Sequence, residues 1–296
     1  MESGHPLTLA EALRAAERTL RDAGVPSPRA DAEEIAAHLM RCGRGEVLAA
    51  SLRGTPAPHG FEAMVAERAT RVPLQHLTGR AAFRHVELDV GPGVFVPRPE
   101  TELVAGAAID AALKVPLGER AEGRSPVVVD LCTGSGAIAA AVADEVAGAQ
   151  VHACELDPMA HAWASRNLER SGVDLRMSDA ADAFPDLDGT VDVVVSNPPY
   201  IPPGCEPQDP EVREHDPEVA LYGGGEDGLA VPRTVVVTAA RLLRAGGVLV
   251  MEHADTQQQT LLAWLGNGPW RDVEGHRDLA DRPRFVTAVR VGDFET

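Results

Sequence analysis

The second half of the chain alternates between short apolar runs and helical patterns, and few folds accommodate that alternation. The runs are "VVVDL" (127–131), "VHACEL" (151–156), "DLRMSD" (174–179), "VDVVVSN" (191–197), "GVLVMEH" (247–253) and "FVTAVRV" (285–291). Helical patterns over Ala137–Ala147, Pro158–Ser171 and Pro232–Leu243 separate most of them. Near-continuous apolar strands joined by helices predict an α/β domain with a mostly parallel sheet covered on both faces. Ligands in such sheets bind outside the carboxyl ends of the strands. Residues at those ends are therefore the first place to look for chemistry.

The first 80 residues read differently. "TLAEALRAAERTLRDAGVP" opens with Thr8 and places Glu11 three residues on, a capping box. Leu9, Leu13, Ala16 and Leu20 form one apolar stripe, and Gly24 with Pro26 ends it. Further helices are expected over 29–41, 46–52 and 61–71, giving a small helical bundle. In "AAFRHVELDVGPGVFVPRP", Val86, Leu88 and Val90 alternate with charged residues and Gly91-Pro92-Gly93 turns the chain. Val94–Val96 then resume an extended run, so the sequence predicts a β-hairpin joining two domains. The expected division is a helical docking domain over 1–80, a hairpin linker over 81–97 and a catalytic domain over 98–296. "RAEGRSP" (120–126) is the one linker-like stretch of the second half.

Charge and cysteines narrow the class. The net charge is −18. Residues 1–90 carry 11 basic and 12 acidic side chains, the remainder 16 and 33. So acidic a second half argues against gripping a phosphate backbone, which requires clustered Lys and Arg. Cys42, Cys132, Cys154 and Cys205 show neither CxxC spacing nor a nearby His at metal-ligand spacing, so free thiols and no metal are expected. There is no signal-peptide pattern and no apolar run near the roughly 18 residues of a membrane span. The expectation is a cytoplasmic protein with no membrane partner.

"VVVDLCTGSGAIAAAVADEVAG" reads as strand, glycine turn, helix. Gly134 and Gly136 permit close approach to the backbone, and the following helix offers unpaired N–H groups. Gly134-x-Gly136-x-x-Ala139 fits the dinucleotide fingerprint, and Glu155 ends the next strand about 20 residues on, where a ribose-binding carboxylate belongs. Asp130 lies on the strand itself, four residues before Gly134, and Asp179 ends the third strand, within reach of an adenine amino group. Acidic residues suit the sulfonium and ammonium of S-adenosylmethionine better than a pyrophosphate. A plain βαβ turn with unrelated surface acids is the competing reading. Cys132 stands where such turns usually carry their first glycine, which requires an ordinary negative φ there. A second glycine pattern, "LYGGGEDGLA", lacks a preceding strand and reads as a flexible loop.

"SNPPYIPPG" (196–204) ends the strand "VDVVVSN". An amide or arylamine nitrogen is a poor nucleophile because its lone pair is delocalised. A site that methylates one needs acceptors for both N–H bonds, and the Asn197 side-chain oxygen and the Pro198 carbonyl can supply them. Two prolines hold both acceptors before substrate arrives. Tyr200 offers an aromatic wall for a planar group. Catalytic roles therefore fall to Asn197, Pro198 and Tyr200. The bland alternative is a rigid turn closing a strand. Adenine, cytosine and glutamine all fit such a clamp. The corner "VPRPETE" would cap the next helix through Glu100 or Thr101, or lie over the cofactor. Glu252 and His253 would give support rather than acid–base catalysis, and "EHDPE" (214–218) reads as a solvated loop.

Several segments together resemble one family nearly end to end: "PLQHLTGRAAF" (73–83), "VPRPETELV" (96–104), "DLCTGSGAIA", "SNPPYIP", "GGVLVMEHADTQ" and "HRDLADRPRF" (276–285). The chain is similar to the release factor glutamine methyltransferases, the HemK-like family. That resemblance implies a class I, Rossmann-like methyltransferase fold with a seven-stranded mostly parallel sheet and an N-terminal helical domain. It implies methyl transfer from S-adenosylmethionine, leaving S-adenosylhomocysteine, to the glutamine amide of the Gly-Gly-Gln motif of peptide chain release factors, a step of translation termination. By the same resemblance Asn197, Pro198, Pro199 and Tyr200 hold the substrate amide. Cys132, Thr133, Gly134, Ser135 and Gly136 wrap the methionine end of the cofactor, with Asn197 beside it; Glu155 takes the ribose; Asp179 and Ala180 frame the adenine. Ala180 stands where family members often carry an aromatic residue. The competing function is a nucleic-acid amino-methyltransferase, which shares "NPPY" but lacks "PRPETE".

Overall fold

A computed structural model of the chain describes residues 7–115 and 124–292. Most of the linker-like stretch over 120–126 lies outside them. Two compact units are present. One runs up to Arg80 and also takes in Pro207–His215; the other covers Ala81–Glu206 and resumes at Asp216.

The first unit is helical: α1 (Leu9–Asp22), α2 (Pro28–Met40), α3 (Arg44–Leu52), α4 (Phe61–Ala69) and α5 (Leu74–Thr78). Thr8 caps α1 as expected: the Glu11 N–H donates to Thr8 Oγ1 at 3.3 Å and the Thr8 N–H donates to the Glu11 carboxylate at 3.0 Å. The apolar stripe of α1 is buried against Ile35, Val47, Phe61 and Val65 of its neighbours. Within this unit a charged cluster joins α4 to the separate segment 207–215. The Arg68 guanidinium is buried and meets Asp31 at 2.8 Å and Glu211 at 2.7 Å; Arg71 donates to the same Glu211 carboxylate at 2.8 Å. Two guanidinium groups hold the Glu211 carboxyl well below the usual carboxylate range, although burial opposes them.

The second unit is a seven-stranded sheet in the order β5-β4-β3-β6-β7-β9-β8. Its strands are β3 (Val127–Leu131), β4 (Gln150–Glu155), β5 (Asp174–Met177), β6 (Val191–Ser196), β7 (Leu243–Glu252), β8 (Trp270–Arg277) and β9 (Pro283–Arg290). Pairs from β5 through β7 are parallel, and β9 runs antiparallel to both its neighbours. Helices α6 (Thr101–Leu113), α7 (Ala137–Glu145) and α8 (Pro158–Leu168) cover one face over Val128, Val193, Val195 and Val250. Helices α11 (Ala230–Leu242) and α12 (Gln258–Leu265) cover the other over Val129, Leu131, Val194, Leu249 and Met251. Alternate residues of each central strand thus face alternate layers, as the period of two requires. Two short helices, α9 (Pro210–His215) and α10 (Glu218–Leu221), follow β6.

The hairpin differs from the expectation. Its strands are β1 (Arg80–Phe83) and β2 (Val86–Asp89), joined at Arg84-His85 with Arg84 at φ 50°. Arginine is not a residue that signals a two-residue turn. The Arg84 guanidinium donates to Glu145 of α7 at 2.5 and 2.6 Å, which holds the turn. Val94 and Val96 are fully buried but pair with no strand. The turn 91–93 before them lies close against α8, where a Cβ at Gly91 would lie 2.7 Å from Trp163 and one at Gly93 2.7 Å from Met159.

Candidate active site

The order of strand addition reverses between β3 and β6: the path from β3 proceeds outward through β4 and β5, then returns to the other side of β3. The carboxyl ends of β3 and β6 therefore flank the switch point where such sheets bind ligands. Ser196 Oγ donates to the Leu131 carbonyl at 2.6 Å and ties the two ends together.

After β3 the turn 132–136 leads into α7. Gly134 and Gly136 have positive φ, 58° and 84°, and a Cβ at Gly134 would meet nothing within 4 Å. The Gly134 N–H donates to Glu155 at 2.8 Å, and the other Glu155 oxygen takes the N–H groups of Leu156 and Asp157 at 2.9 Å each. Glu155 thus braces the turn from the end of β4. Cys132 has φ 60°, contrary to the negative φ expected of a non-glycine residue there. The left-handed conformation places its Cβ near the following carbonyl and costs about 1–2 kcal/mol. Thr133 and Ser135 are buried within the turn. Asp179 follows β5 and accepts the Ala181 N–H at 2.8 Å; Ala180 beside it is buried.

Asp130 is buried inside β3. One oxygen, Oδ2, accepts from the Thr133 hydroxyl at 2.5 Å and the Ala139 N–H at 3.2 Å. The other has no partner among the described residues. Burial pushes its carboxyl up to about 7. An unpartnered buried carboxylate oxygen beside an open glycine turn suits a cationic group.

Asn197–Tyr200 leave the end of β6. Asn197 Nδ2 donates to the Thr101 hydroxyl at 3.3 Å, and among the described residues no donor reaches Asn197 Oδ1 or the Pro198 carbonyl. Thr101 Oγ1 donates to Glu252 at 2.8 Å, and the Tyr200 hydroxyl donates to the other Glu252 oxygen at 3.2 Å. Glu252 is 2% exposed. Burial raises its carboxyl to about 7, although these hydrogen bonds and the Arg284 charge pull it down. His253 donates through Nδ1 to the Ala254 carbonyl at 2.8 Å, and burial lowers its pKa, so it is a neutral buried group.

The clamp backbone is held as closely. Tyr200 and Ile201 N–H groups donate to the Leu221 carbonyl at 3.2 and 2.8 Å, and Gln257 Nε2 donates to the Tyr200 carbonyl at 2.8 Å. "LYGGGEDGLA" is packed rather than loose. A Cβ at Gly223 would sit 2.6 Å from the Pro199 carbonyl oxygen, and one at Gly228 would sit 2.3 Å from the Tyr200 carbonyl oxygen.

The corner 98–101 does not cap α6 by a side chain. Arg98 reaches Asp216 at 2.6 Å, Glu100 meets Arg282 at 3.1 Å, and Thr101 joins the clamp. Asp216 is buried, so "EHDPE" is not a solvated loop throughout. Thr101 was hidden in the sequence because a threonine before a helix is ordinarily read as a cap. Among the described residues no group of His, Cys, Asp and Glu is arranged to hold a metal, and no helix is long and apolar enough to cross a membrane.

Two family models match the chain, the PrmC N-terminal domain over residues 11–79 and the methyltransferase small domain over residues 100–205. The chain is 55% identical to a release factor glutamine methyltransferase of Streptomyces coelicolor, over 95% of this chain and 98% of that one. It is 48% identical to the protein of that name from Mycolicibacterium smegmatis, over 96% and 98%. It is also 43% identical to a 4-amino-L-phenylalanine/4-methylamino-L-phenylalanine methyltransferase of Streptomyces pristinaespiralis, over 96% and 95%.

Proposed function

We infer, since the chain belongs to the release factor glutamine methyltransferase family, that it transfers a methyl group from S-adenosylmethionine to the side-chain amide nitrogen of the Gly-Gly-Gln glutamine of peptide chain release factors. When bound, S-adenosylmethionine supplies a methyl group on a positively charged sulfur. The chain's own residues must hold a planar amide and make its nitrogen available. The single observation that carries this reading is Asn197, whose amide nitrogen is taken by Thr101 while its oxygen is left without a protein donor.

Asn197 Oδ1 and the Pro198 carbonyl accept the two N–H bonds of the substrate amide, which orients the NH2 group so that the nitrogen lone pair points at the methyl group. Both acceptors stabilise the positive charge that develops on that nitrogen, and they are in place beforehand. No base is required, since the proton leaves after transfer. Pro199 and Tyr200 line the amide slot. Asp130, through its unpartnered oxygen, would face the cationic methionine end of the cofactor; residues 132–136 would wrap it, Glu155 the ribose, Asp179 and Ala180 the adenine. Release factors are the protein partner, and the cytoplasm is where they are met.

Mass spectrometry of purified release factor after incubation with this protein and S-adenosylmethionine tests the reading, with 4-amino-L-phenylalanine in a parallel reaction. The expected result is one added methyl group on the Gly-Gly-Gln glutamine. Methylation of the arylamine amino acid with none on the release factor would overturn it.

A further inference from the structure

We propose that Glu252 is a positioning residue for methyl transfer: through the Thr101 hydroxyl it sets which end of the Asn197 amide faces the substrate. The proposal rests on the reading of Asn197 as an acceptor for the substrate amide. Its ground is the direction in which protons can point along the chain of contacts. An ionised carboxylate only accepts hydrogen bonds. Thr101 has one hydroxyl proton, and at 2.8 Å it goes to Glu252 Oε2. The lone pairs that remain on Thr101 can only accept, so the group 3.3 Å away on Asn197 must be its NH2. Asn197 Oδ1 then points away from Thr101, toward the space the substrate amide occupies. Nothing else among the described residues dictates that orientation.

The same carboxylate takes the Tyr200 hydroxyl on Oε1 at 3.2 Å. One buried group therefore holds both side chains that bracket Pro198 and Pro199. Its surroundings offer little competition. The charged and titratable groups facing it are Arg284 from β9, Glu100 from the start of α6 and Tyr200 from the clamp; His253 next to it is neutral. Arg284 is itself engaged by Asp278 at 2.9 Å. A carboxylate buried at 2% exposure would be a poor choice for packing alone.

The direction of the chain depends on the charge of Glu252. A protonated Glu252 can donate to Thr101. The Thr101 proton then turns toward Asn197, and the amide is free to present its NH2 to the substrate, where it repels the substrate NH2. Burial holds this carboxyl at about 7, so the change falls in an accessible range. kcat is expected to be full above that pH and to decline below it.

The test is single-turnover methylation of release factor by the full chain across pH 6–8, with cofactor affinity measured in parallel by calorimetry. Thr101→Val, which keeps shape and loses the hydroxyl, is expected to lower kcat about 10- to 100-fold with KM and cofactor affinity little changed. It also loses the acid limb of the profile, because Asn197 no longer senses Glu252. Thr101→Ser restores both rate and limb. Glu252→Gln keeps hydrogen bonding but cannot titrate, and its profile is flat. A merely structural role would lower stability without moving the limb. Thr101→Val with wild-type kcat, or a Glu252→Gln profile identical to that of the wild type, would overturn the proposal. Should either variant fail to fold, a wild-type kcat constant from pH 6 to 8 overturns it as well. A wild type that methylates no release factor instead refutes the functional reading before any variant is compared.

Discussion

The turn after β3 is held from close by in the sequence, whereas the clamp after β6 is held from far away. Asp130 takes Thr133 and Ala139, three and nine residues on, and Gly134 reaches Glu155 across 21 residues. Asn197 leans on Thr101 across 96 residues, and Tyr200 on Glu252 and Gln257 across 52 and 57. The first arrangement is a local motif that any parallel α/β sheet can carry. The second exists only once α6, β7 and the 223–228 loop have assembled around it. Cofactor binding and substrate activation should therefore fail separately, and four changes test that separation.

If Asn197 accepts from the substrate amide as proposed, Asn197→Ala removes that acceptor, and kcat is expected to fall about 10²- to 10³-fold in single-turnover assays. Calorimetry should find cofactor affinity nearly unchanged; a parallel collapse of affinity would mean the two sites are one. Gly228→Ala acts at a distance. Its φ is 73° and the new methyl would meet the Tyr200 carbonyl oxygen, so the clamp backbone must shift. A displacement of about an ångström is expected to cost about 10²-fold in rate, again with little effect on the cofactor.

On the proposed placing of Asp130 against the cationic end of the cofactor, Asp130→Asn should do the reverse, weakening S-adenosylmethionine about tenfold, with the rate at saturating cofactor retained. The wild-type affinity should rise with pH up to about 7 and then level off, since the cation prefers ionised Asp130; the variant should show no such rise. In the free protein the sign is opposite. The folded pKa lies above the unfolded value of about 4, so this group's contribution to stability falls as pH rises between the two. The smallest effect is expected of Cys132→Gly. Relief of the left-handed strain gives about 1 kcal/mol, partly offset by chain entropy, and thermal melts should rise by a few degrees at most.

The same contrast decides what could be read from the sequence. β3, β4, β6 and the helices between them announce themselves by apolar runs and glycine turns. β8 does not: "WRDVEGHR" is a polar edge strand with mostly exposed or half-exposed side chains, so neither alternation nor hydrophobicity marks it. The upstream strand of the hairpin was missed because Arg84 makes its turn without glycine or asparagine. Of the site, the glycines and "NPPY" were legible because backbone geometry restricts the residue types there. Gln257 was not, and Thr101 and Glu252 could be marked only as a helix cap or cofactor cover and as support, since the contacts that join them to Asn197 and Tyr200 arise across the fold. Gly223 and Gly228 were visible, but the close approach of the clamp backbone that requires them was not.

Pro207–His215 belongs to the helical unit although it is written into the catalytic half of the chain. The helical unit is therefore not a linear module that can be cut at residue 80 and exchanged. A fragment ending there keeps Asp31 for Arg68 but leaves Glu211 behind. Chimeras between relatives must carry both pieces, and drift in one stretch constrains the other. An inserted segment of nine residues thereby makes two units inherit as one.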